Sequence, residues 1–417
     1  MTFAGWPEPN GANPVGHCEF DLFDPARPAP YAPTPTTFRA LKVMAWYPAR
    51  DIQGCARRFY LDAREASGTA RSSLALMPGG AARAAMLGAL ETRSHIGAPV
   101  AEGTFPLLVY CHGFASFAQQ NTLLMEHLAS FGYIVLSVGH PHESSGYFLS
   151  DGSAVDMSQA MIEAVGAIDG FEEFGGARLG PNLAARRQDT IRLIERLRPT
   201  AFGRLAQVQA DDNLFVVDRI EERQVPPQAI TIAEAADLDR IGYLGMSYGG
   251  HVAALSCMKD PRARCGVNLD GDFATAEPFG REIGVPFLTF SRDLAAIAPQ
   301  YGLEAEAPSP SSMTSCDLAY EREDGTPPAA AVHRLTLRGG MHWDFLDARV
   351  LLPEGLPPGL MGDLPPERTA LAIQRSVQEF FDLYLKADET RFPAGVAEDF
   401  ADLLVVQDRA AMRARFG

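Results

Sequence analysis

The apolar positions of this chain fall mainly into short continuous runs, with stretches of helical spacing between them. A run of four to eight apolar residues without alternation suits a strand buried on both faces, where neither side meets water. Phe105–Cys111 is such a run, and Tyr133-Ile134-Val135-Leu136-Ser137-Val138 is another. Between them Leu124, Leu128 and Phe131 recur on one helical face, with Asn121 placed to cap the helix and Gly132 to end it. Strand, helix and strand at this spacing predict a βαβ unit and hence a parallel sheet.

The same reading extends along the chain. Residues 38–47 set Leu41, Val43, Ala45 and Tyr47 against Arg39, Lys42 and Met44, a strand that Pro48 ends. Further strands are expected to lead into Ser247 and over residues 265–270, 283–290 and 332–337, the last of these closing the set. Helices are expected over 181–197 and 367–385. Pro25, Pro28, Pro30, Pro33 and Pro35 exclude a helix from residues 1–37, which should wrap the surface with a short edge strand at Cys18-Glu19-Phe20-Asp21-Leu22. Residues 66–96 are Ala-rich and in part helical; 143–180 read as a cap, and 301–330 as an irregular insertion. No internal repeat interrupts this order, so one α/β domain over residues 1–417 is expected.

The chemistry concentrates in Ile241-Gly242-Tyr243-Leu244-Gly245-Met246-Ser247-Tyr248-Gly249-Gly250-His251. A buried strand turns here into a helix with a serine at the apex, and Gly245 and Gly249 leave room where the two nearly touch. Ser247 is the candidate nucleophile, and the Tyr248 amide at the helix start is a candidate oxyanion donor. Phe114, after His112-Gly113, is the second candidate donor. A serine hydroxyl needs a base. His342 follows the strand 332–337 behind Gly339 and Gly340, where it can be aimed at Ser247. Asp270 and Asp293 each end a strand after the nucleophile's, and either can orient His342; Asp272 and Asp344 are further carboxylates nearby. Ser, Asp and His in this order at strand ends reproduce the α/β-hydrolase arrangement, a mostly parallel sheet flanked by helices with cap insertions. His112, Met246 and Trp343 are candidates for a substrate pocket. His140-Pro141-His142-Glu143 lacks a third ligand at usable spacing and reads as a structural loop, so no metal is expected.

Composition narrows the partners. A formal net charge of −16 disfavours nucleic acid and anionic membrane, and no apolar run approaches the ~20 residues of a membrane span. The N-terminus shows neither basic nor apolar signal-peptide regions, which leaves a cytoplasmic protein or one whose leader has been removed. The six cysteines show no metal or redox spacing, and Cys111 and Cys257 read as small buried hydrophobes.

Cys111-His112-Gly113-Phe114, residues 128–135, Gly245-Met246-Ser247-Tyr248-Gly249-Gly250, Asn268-Leu269-Asp270 and Arg338-Gly339-Gly340-Met341-His342 together resemble the plasma-type platelet-activating factor acetylhydrolases and their bacterial relatives. The resemblance runs in order from about residue 15 to residue 385. It implies cleavage of short or oxidised acyl esters of phospholipids without metal or organic cofactor, and it favours Asp270 as the acid. The chain departs from the animal members in the insertion near residues 301–328 and in Tyr248, where they usually carry phenylalanine. Those departures leave open a broader esterase or a polyester hydrolase using the same chemistry. A hydrolase-fold binding protein is the reading of another class. The expected substrate is a small-molecule or lipid ester; oligomeric state is not legible in the sequence.

Overall fold

The structure, a computed structural model, describes residues 5–34, 37–74, 79–168, 183–273, 282–293, 296, 328–352 and 359–407. Within the 417 residues two compact units form, Met1–Glu163 with Asp211–Gly242 and Ala164–Ala210 with Tyr243–Gly417.

The first unit carries β1 (Val15–Pro28), β2 (Phe38–Pro48), β3 (Arg57–Phe59), α1 (Ala63–Arg71), α2 (Gly80–Leu87), β4 (Glu91–Ile96), β5 (Phe105–Cys111), α3 (Thr122–Ser130) and β6 (Ile134–Gly139), with its strands ordered β5-β6-β2-β1-β4-β3. β5 and β6 pair in parallel around α3, as the apolar runs predict. β2 lies antiparallel to both β6 and β1. Asn121 precedes α3 but its side chain caps nothing; Asn121 Oδ1 instead accepts from the Tyr110 hydroxyl at 2.6 Å.

β1 corrects the sequence reading. It is fourteen residues long and lies between β2 and β4, not at an edge. The charged residues of β1 are satisfied across the strands. Arg58 Nη2 lies 2.8 Å from Glu19 Oε1, and Lys42 Nζ lies 3.3 Å from Glu19 Oε2 and 3.6 Å from Asp21 Oδ1. Pro25 and Pro28 fall beyond the three residues that pair with β4, where the register with β2 shifts between Asp24 and Pro28.

Residues 66–96 resolve into most of α1, then α2 and β4. Asp62 and Glu65 form a reciprocal cap at the start of α1, Asp62 Oδ1 accepting from the Glu65 N–H at 2.8 Å and Glu65 Oε2 from the Asp62 N–H at 2.7 Å. The expected cap contains β7 (Tyr147–Phe148) and β8 (Ala154–Val155), an antiparallel pair, and α4 (Gln159–Gly166); residues 169–182 lie outside the described residues.

The chain also carries α5 (Leu183–Leu197), close to the expected helix, and α6 (Ala201–Glu221), which periodicity did not reveal. The inward stripe of α6 mixes Leu205, Val216, Val217 and Ile220 with buried Gln209, Asp212 and Asn213, so its apolar period is broken. Asp212 explains the mixture. Arg39 Nε donates to Asp212 Oδ1 at 2.6 Å, Arg39 Nη1 to Glu143 Oε1 at 2.9 Å, and Arg27 Nη1 lies 2.9 Å from Asp212 Oδ1. Burial works to raise the Asp212 carboxyl, but the Arg39 guanidinium and His140 hold it below the usual carboxylate range.

In the second unit the strands are ordered β13-β12-β11-β10-β9. Their ranges are β9 (Ala236–Met246, residues 243–246 in this unit), β10 (Ala263–Leu269), β11 (Phe287–Ser291), β12 (Val332–Leu337) and β13 (Leu404–Val406). β10, β11 and β12 are parallel; β13 adds an antiparallel edge, so β12 is not the last strand. The run at 283–290 becomes a strand only from Phe287, since Pro286 has no N–H to give and offers its carbonyl to Gly266 N–H at 3.0 Å. α7 (Tyr248–Lys259) follows Ser247, and α8 (Pro366–Phe381) buries Ile373, Val377, Phe380 and Phe381. α9 (Ala394–Asp399) precedes β13. The insertion at 301–327 lies outside the described residues. Among those described, no helix is long and apolar enough to cross a membrane.

The Arg39 cluster gives a stability test. Arg39→Met leaves Glu143 and Asp212 buried with less compensating charge, which costs about 3–5 kcal/mol when one partner of a buried pair is removed. Urea denaturation should show the midpoint falling accordingly; a loss below about 1 kcal/mol would contradict this account of the cluster.

Candidate active site

Ser247 stands between β9 and α7 with φ 58° and ψ −126°, in the left-handed half of backbone space that a serine adopts only under constraint. Several bonds impose it. The Ser247 N–H donates to Leu269 O at 2.7 Å, and Ser247 O accepts from Gly250 N–H at 2.9 Å. Neighbouring atoms approach so closely that a Cβ on Gly250 would sit 1.9 Å from the side-chain Oδ1 of Asn268, and one on Gly271 would sit 1.8 Å from the backbone Ser247 O. Asn268 closes the far side, its Nδ2 donating to Gly271 O and its Oδ1 accepting from Gly271 N–H, both at 2.8 Å.

Three candidates meet in this unit. His342 Nε2 lies 2.9 Å from Ser247 Oγ, and His342 Nδ1 lies 2.5 Å from Asp270 Oδ2. Asp270 is buried at the end of β10, while the imidazole keeps about a quarter of its surface exposed (28%). Asp270 itself has φ 53°; its N–H donates to Phe290 O at 2.8 Å, and its Oδ1 accepts from Arg292 N–H at 2.9 Å. Burial pushes the Asp270 carboxyl up, but the Arg292 guanidinium and then His342 outweigh it and hold the group below its ordinary value. Such a line can take a proton from the serine hydroxyl and stabilise the imidazolium that forms.

The other carboxylates shape the His342 loop. Asp293 Oδ2 accepts from Gly339 N–H at 2.8 Å, and its N–H donates to Gly340 O at 2.9 Å. Asp344 Oδ2 accepts from Met341 N–H at 2.7 Å and from Gly362 N–H at 2.8 Å, with Arg349 3.2 Å from Oδ1. Asp272 lies 3.4 Å from Arg292 Nη2.

The remaining candidates are placed as follows. Tyr248 begins α7 and is buried, its hydroxyl donating to Phe202 O and its ring 4.7 Å from that of Phe202. Met246 is buried at the end of β9, and Trp343 is half-buried in the turn with His342. In the first unit Phe114 is half-buried in the turn after β5, where Ser116 N–H donates to Gly113 O at 3.1 Å. His112 is buried with Nδ1 2.7 Å from Gly113 O and Nε2 2.8 Å from Ser144 Oγ, and burial first, then His140, pushes its pKa down to about 3. His140 Nδ1 lies 2.8 Å from Asp212 Oδ2, and His142 Nδ1 lies 3.0 Å from Asp156 O. Among the described residues, no three His, Cys, Asp or Glu side chains group to hold a metal ion, and no disulfide joins Cys18, Cys55, Cys111, Cys257 and Cys265.

Arg292 and the locking role of Asn268 escaped the sequence reading. Their signals were slight: a cation directly after β11, and a polar residue inside the apolar end of β10.

Comparison with known proteins bears on the family and the fold. The family described as platelet-activating factor acetylhydrolase, isoform II, matches residues 5–274. A platelet-activating factor acetylhydrolase of Bos taurus is 26% identical over 249 residues, 58% of this chain and 48% of that protein. A probable 1-alkyl-2-acetylglycerophosphocholine esterase of Arthroderma benhamiae is 22% identical over 312 residues, 72% of this chain and 65% of that protein. The matches therefore span between about half and two thirds of these relatives' lengths. The solved structure of a ferulic acid esterase from Streptomyces cinnamoneus superposes with a TM-score of 0.69 at 22% identity, covering 97% of this chain and 100% of that one. The shared architecture is the α/β-hydrolase fold.

The tight packing behind Ser247 can be tested directly. Gly250→Ala should lower stability by about 1–3 kcal/mol through overpacking against Asn268. In a double-mutant cycle, Asn268→Ala should recover at least about 0.5 kcal/mol of that loss, since it removes the nearest obstacle. Additive losses would show that the obstruction lies elsewhere.

Proposed function

Because this chain belongs to the platelet-activating factor acetylhydrolase, isoform II, family, we propose that it is a serine carboxylic-ester hydrolase acting on short-acyl esters, acetylated or oxidised-acyl phospholipids among them. The observation that carries the reading is the line from Ser247 Oγ through His342 to Asp270, at 2.9 and 2.5 Å.

In this mechanism Ser247 Oγ attacks the ester carbonyl while His342 Nε2 takes its proton. Asp270 fixes the tautomer that leaves Nε2 bare and stabilises the imidazolium. The Tyr248 amide at the start of α7 receives the oxyanion, an electrostatic contribution that is often the largest single one in acyl transfer. His342 then protonates the departing alcohol, and water, activated by the same imidazole, releases the acid from Ser247. The names of the mammalian and fungal relatives support an acetylated glycerophospholipid as the ester. The half-buried Trp343, beside His342, offers apolar contact for a small acyl group.

Two experiments test this reading. Asp270→Asn should remain folded and lose up to ~10⁴ in kcat, since the amide favours the wrong tautomer. Asp293→Asn keeps an oxygen to accept from Gly339 and should stay within about tenfold, or ~1.4 kcal/mol of barrier. The reverse pattern would move the acid to the end of β11 and undercut the acetylhydrolase reading.

The second is an acyl-length series of p-nitrophenyl esters with an acetylated phospholipid and a polyester film. kcat/KM should be highest for acetyl or butyryl groups. A steady rise with chain length would point to a lipase. Fast polyester cleavage without phospholipid activity would point to a polyester hydrolase, and no turnover by a folded protein to a binding role.

A further inference from the structure

The acid that orients His342 is itself held by a cation. Arg292 leaves the end of β11 and contacts Asp270 twice: its backbone N–H donates to Oδ1 at 2.9 Å, and its side-chain Nε lies 3.2 Å from Oδ2. Oδ2 is the same oxygen that His342 Nδ1 approaches at 2.5 Å. The guanidinium reaches further, with Nη2 3.4 Å from Asp272 Oδ2, and its side chain is only 13% exposed. One carboxylate oxygen is thus shared between the base and a nearly buried positive charge.

We propose that Arg292 is a positioning residue for the hydrolysis, clamping the Asp270 carboxylate and setting how tightly the Asp270–His342 pair holds a proton. The proposal rests on the serine-hydrolase reading given above. Geometrically, the clamp leaves Oδ2 in one orientation toward His342, because Oδ1 is occupied by the Arg292 amide. Electrostatically, a cation against a carboxylate offsets part of the negative charge that would stabilise a protonated imidazole. Protons on two groups this close belong to the pair rather than to either member.

The charged groups that face the pair come from each neighbouring element. Asp272 shares the loop after β10 and draws on the same guanidinium. Asp344, in the turn with His342, interacts with Asp270 and is tied to Arg349 at 3.2 Å; burial chiefly, together with Asp270, pushes the Asp344 carboxyl up. Asp293, after β11, is bonded to the Gly339 and Gly340 backbone of the His342 loop. All three are carboxylates, so among these neighbours Arg292 is the group whose removal raises the proton affinity of the pair.

The test is the pH dependence of kcat/KM for p-nitrophenyl acetate in Arg292→Gln, Arg292→Lys and wild type. Arg292→Gln should lower kcat more than it raises KM, and should move the acid limb upward by about one pH unit, the lower end of the effect of an adjacent opposite charge. Arg292→Lys keeps the charge and should restore the limb. A limb unmoved in Arg292→Gln, at whatever rate, overturns the proposal, as does an equal shift in Arg292→Lys. If Arg292→Gln does not fold, Asp272→Asn serves instead. It leaves the guanidinium to Asp270 alone, so the limb should move downward; an unmoved or raised limb overturns the proposal. Ser247→Ala, assayed alongside, separates the two readings. Residual turnover in that variant at the wild-type rate removes the serine mechanism and this proposal with it, whereas an inactive Ser247→Ala with an unmoved limb in Arg292→Gln removes only the proposal.

Discussion

The hydrogen bond between Asp270 Oδ2 and His342 Nδ1 depends on two loops from different strands meeting within 2.5 Å, and much of the second unit's local structure serves that meeting. Asp270 is held by β11 through its N–H to Phe290 O and through Arg292. The His342 loop is held by Asp293 and Asp344, which accept backbone N–H groups of Gly339, Met341 and Gly362. Ser247 is fixed by the strand that ends in Asp270, its N–H reaching Leu269 O at 2.7 Å. Ser247 and Asp270 both sit at positive φ, a conformation that costs of order 1–3 kcal/mol each and persists only where surrounding bonds leave no alternative. The strain therefore coincides with the groups proposed to do the chemistry.

The first unit solves a different problem with the same means. Arg39 is fully buried, which is tolerable only because Asp212 and Glu143 meet its guanidinium on two sides. His140 extends the cluster from Asp212 to Cys111 Sγ at 3.3 Å, at the end of β5. His112, next in sequence, turns its Nε2 to Ser144, whose hydroxyl also bonds His140 N and O. The turn carrying Gly113 and Phe114 is thereby anchored to the buried charges of its own unit. Neutral His112, kept so by burial, fits this anchoring better than proton transfer.

What the sequence revealed follows from the range of the interactions involved. β5, α3 and β6 were legible because a strand buried on both faces leaves a continuous apolar run, and because Gly132 stops α3 at φ 91°. The turn at Ser247 was legible because the glycines around a serine between strand and helix form a local pattern, and Gly250 of that stretch has no room for a Cβ. β1 was misjudged because the prolines that suggested an edge fall only in its last four residues, and α6 was missed because Asp212 and Asn213 interrupt its stripe. Asp270 and Asp293 were indistinguishable from the residues alone. Both end adjacent strands, and only three-dimensional placement separates the one that meets His342 from the one that meets Gly339. Arg292 was invisible for the same reason, since a single arginine after a strand has no pattern.

Covalent acylation of Ser247 is read out by rapid-quench mass spectrometry of the protein with a short-acyl ester. With an acetyl ester, one acetyl group is expected on the peptide that carries Ser247, formed in a burst before steady-state turnover and absent from Ser247→Ala. Steady hydrolysis with no burst and an unmodified Ser247 peptide, under conditions where a slow-deacylating ester is saturating, would contradict it.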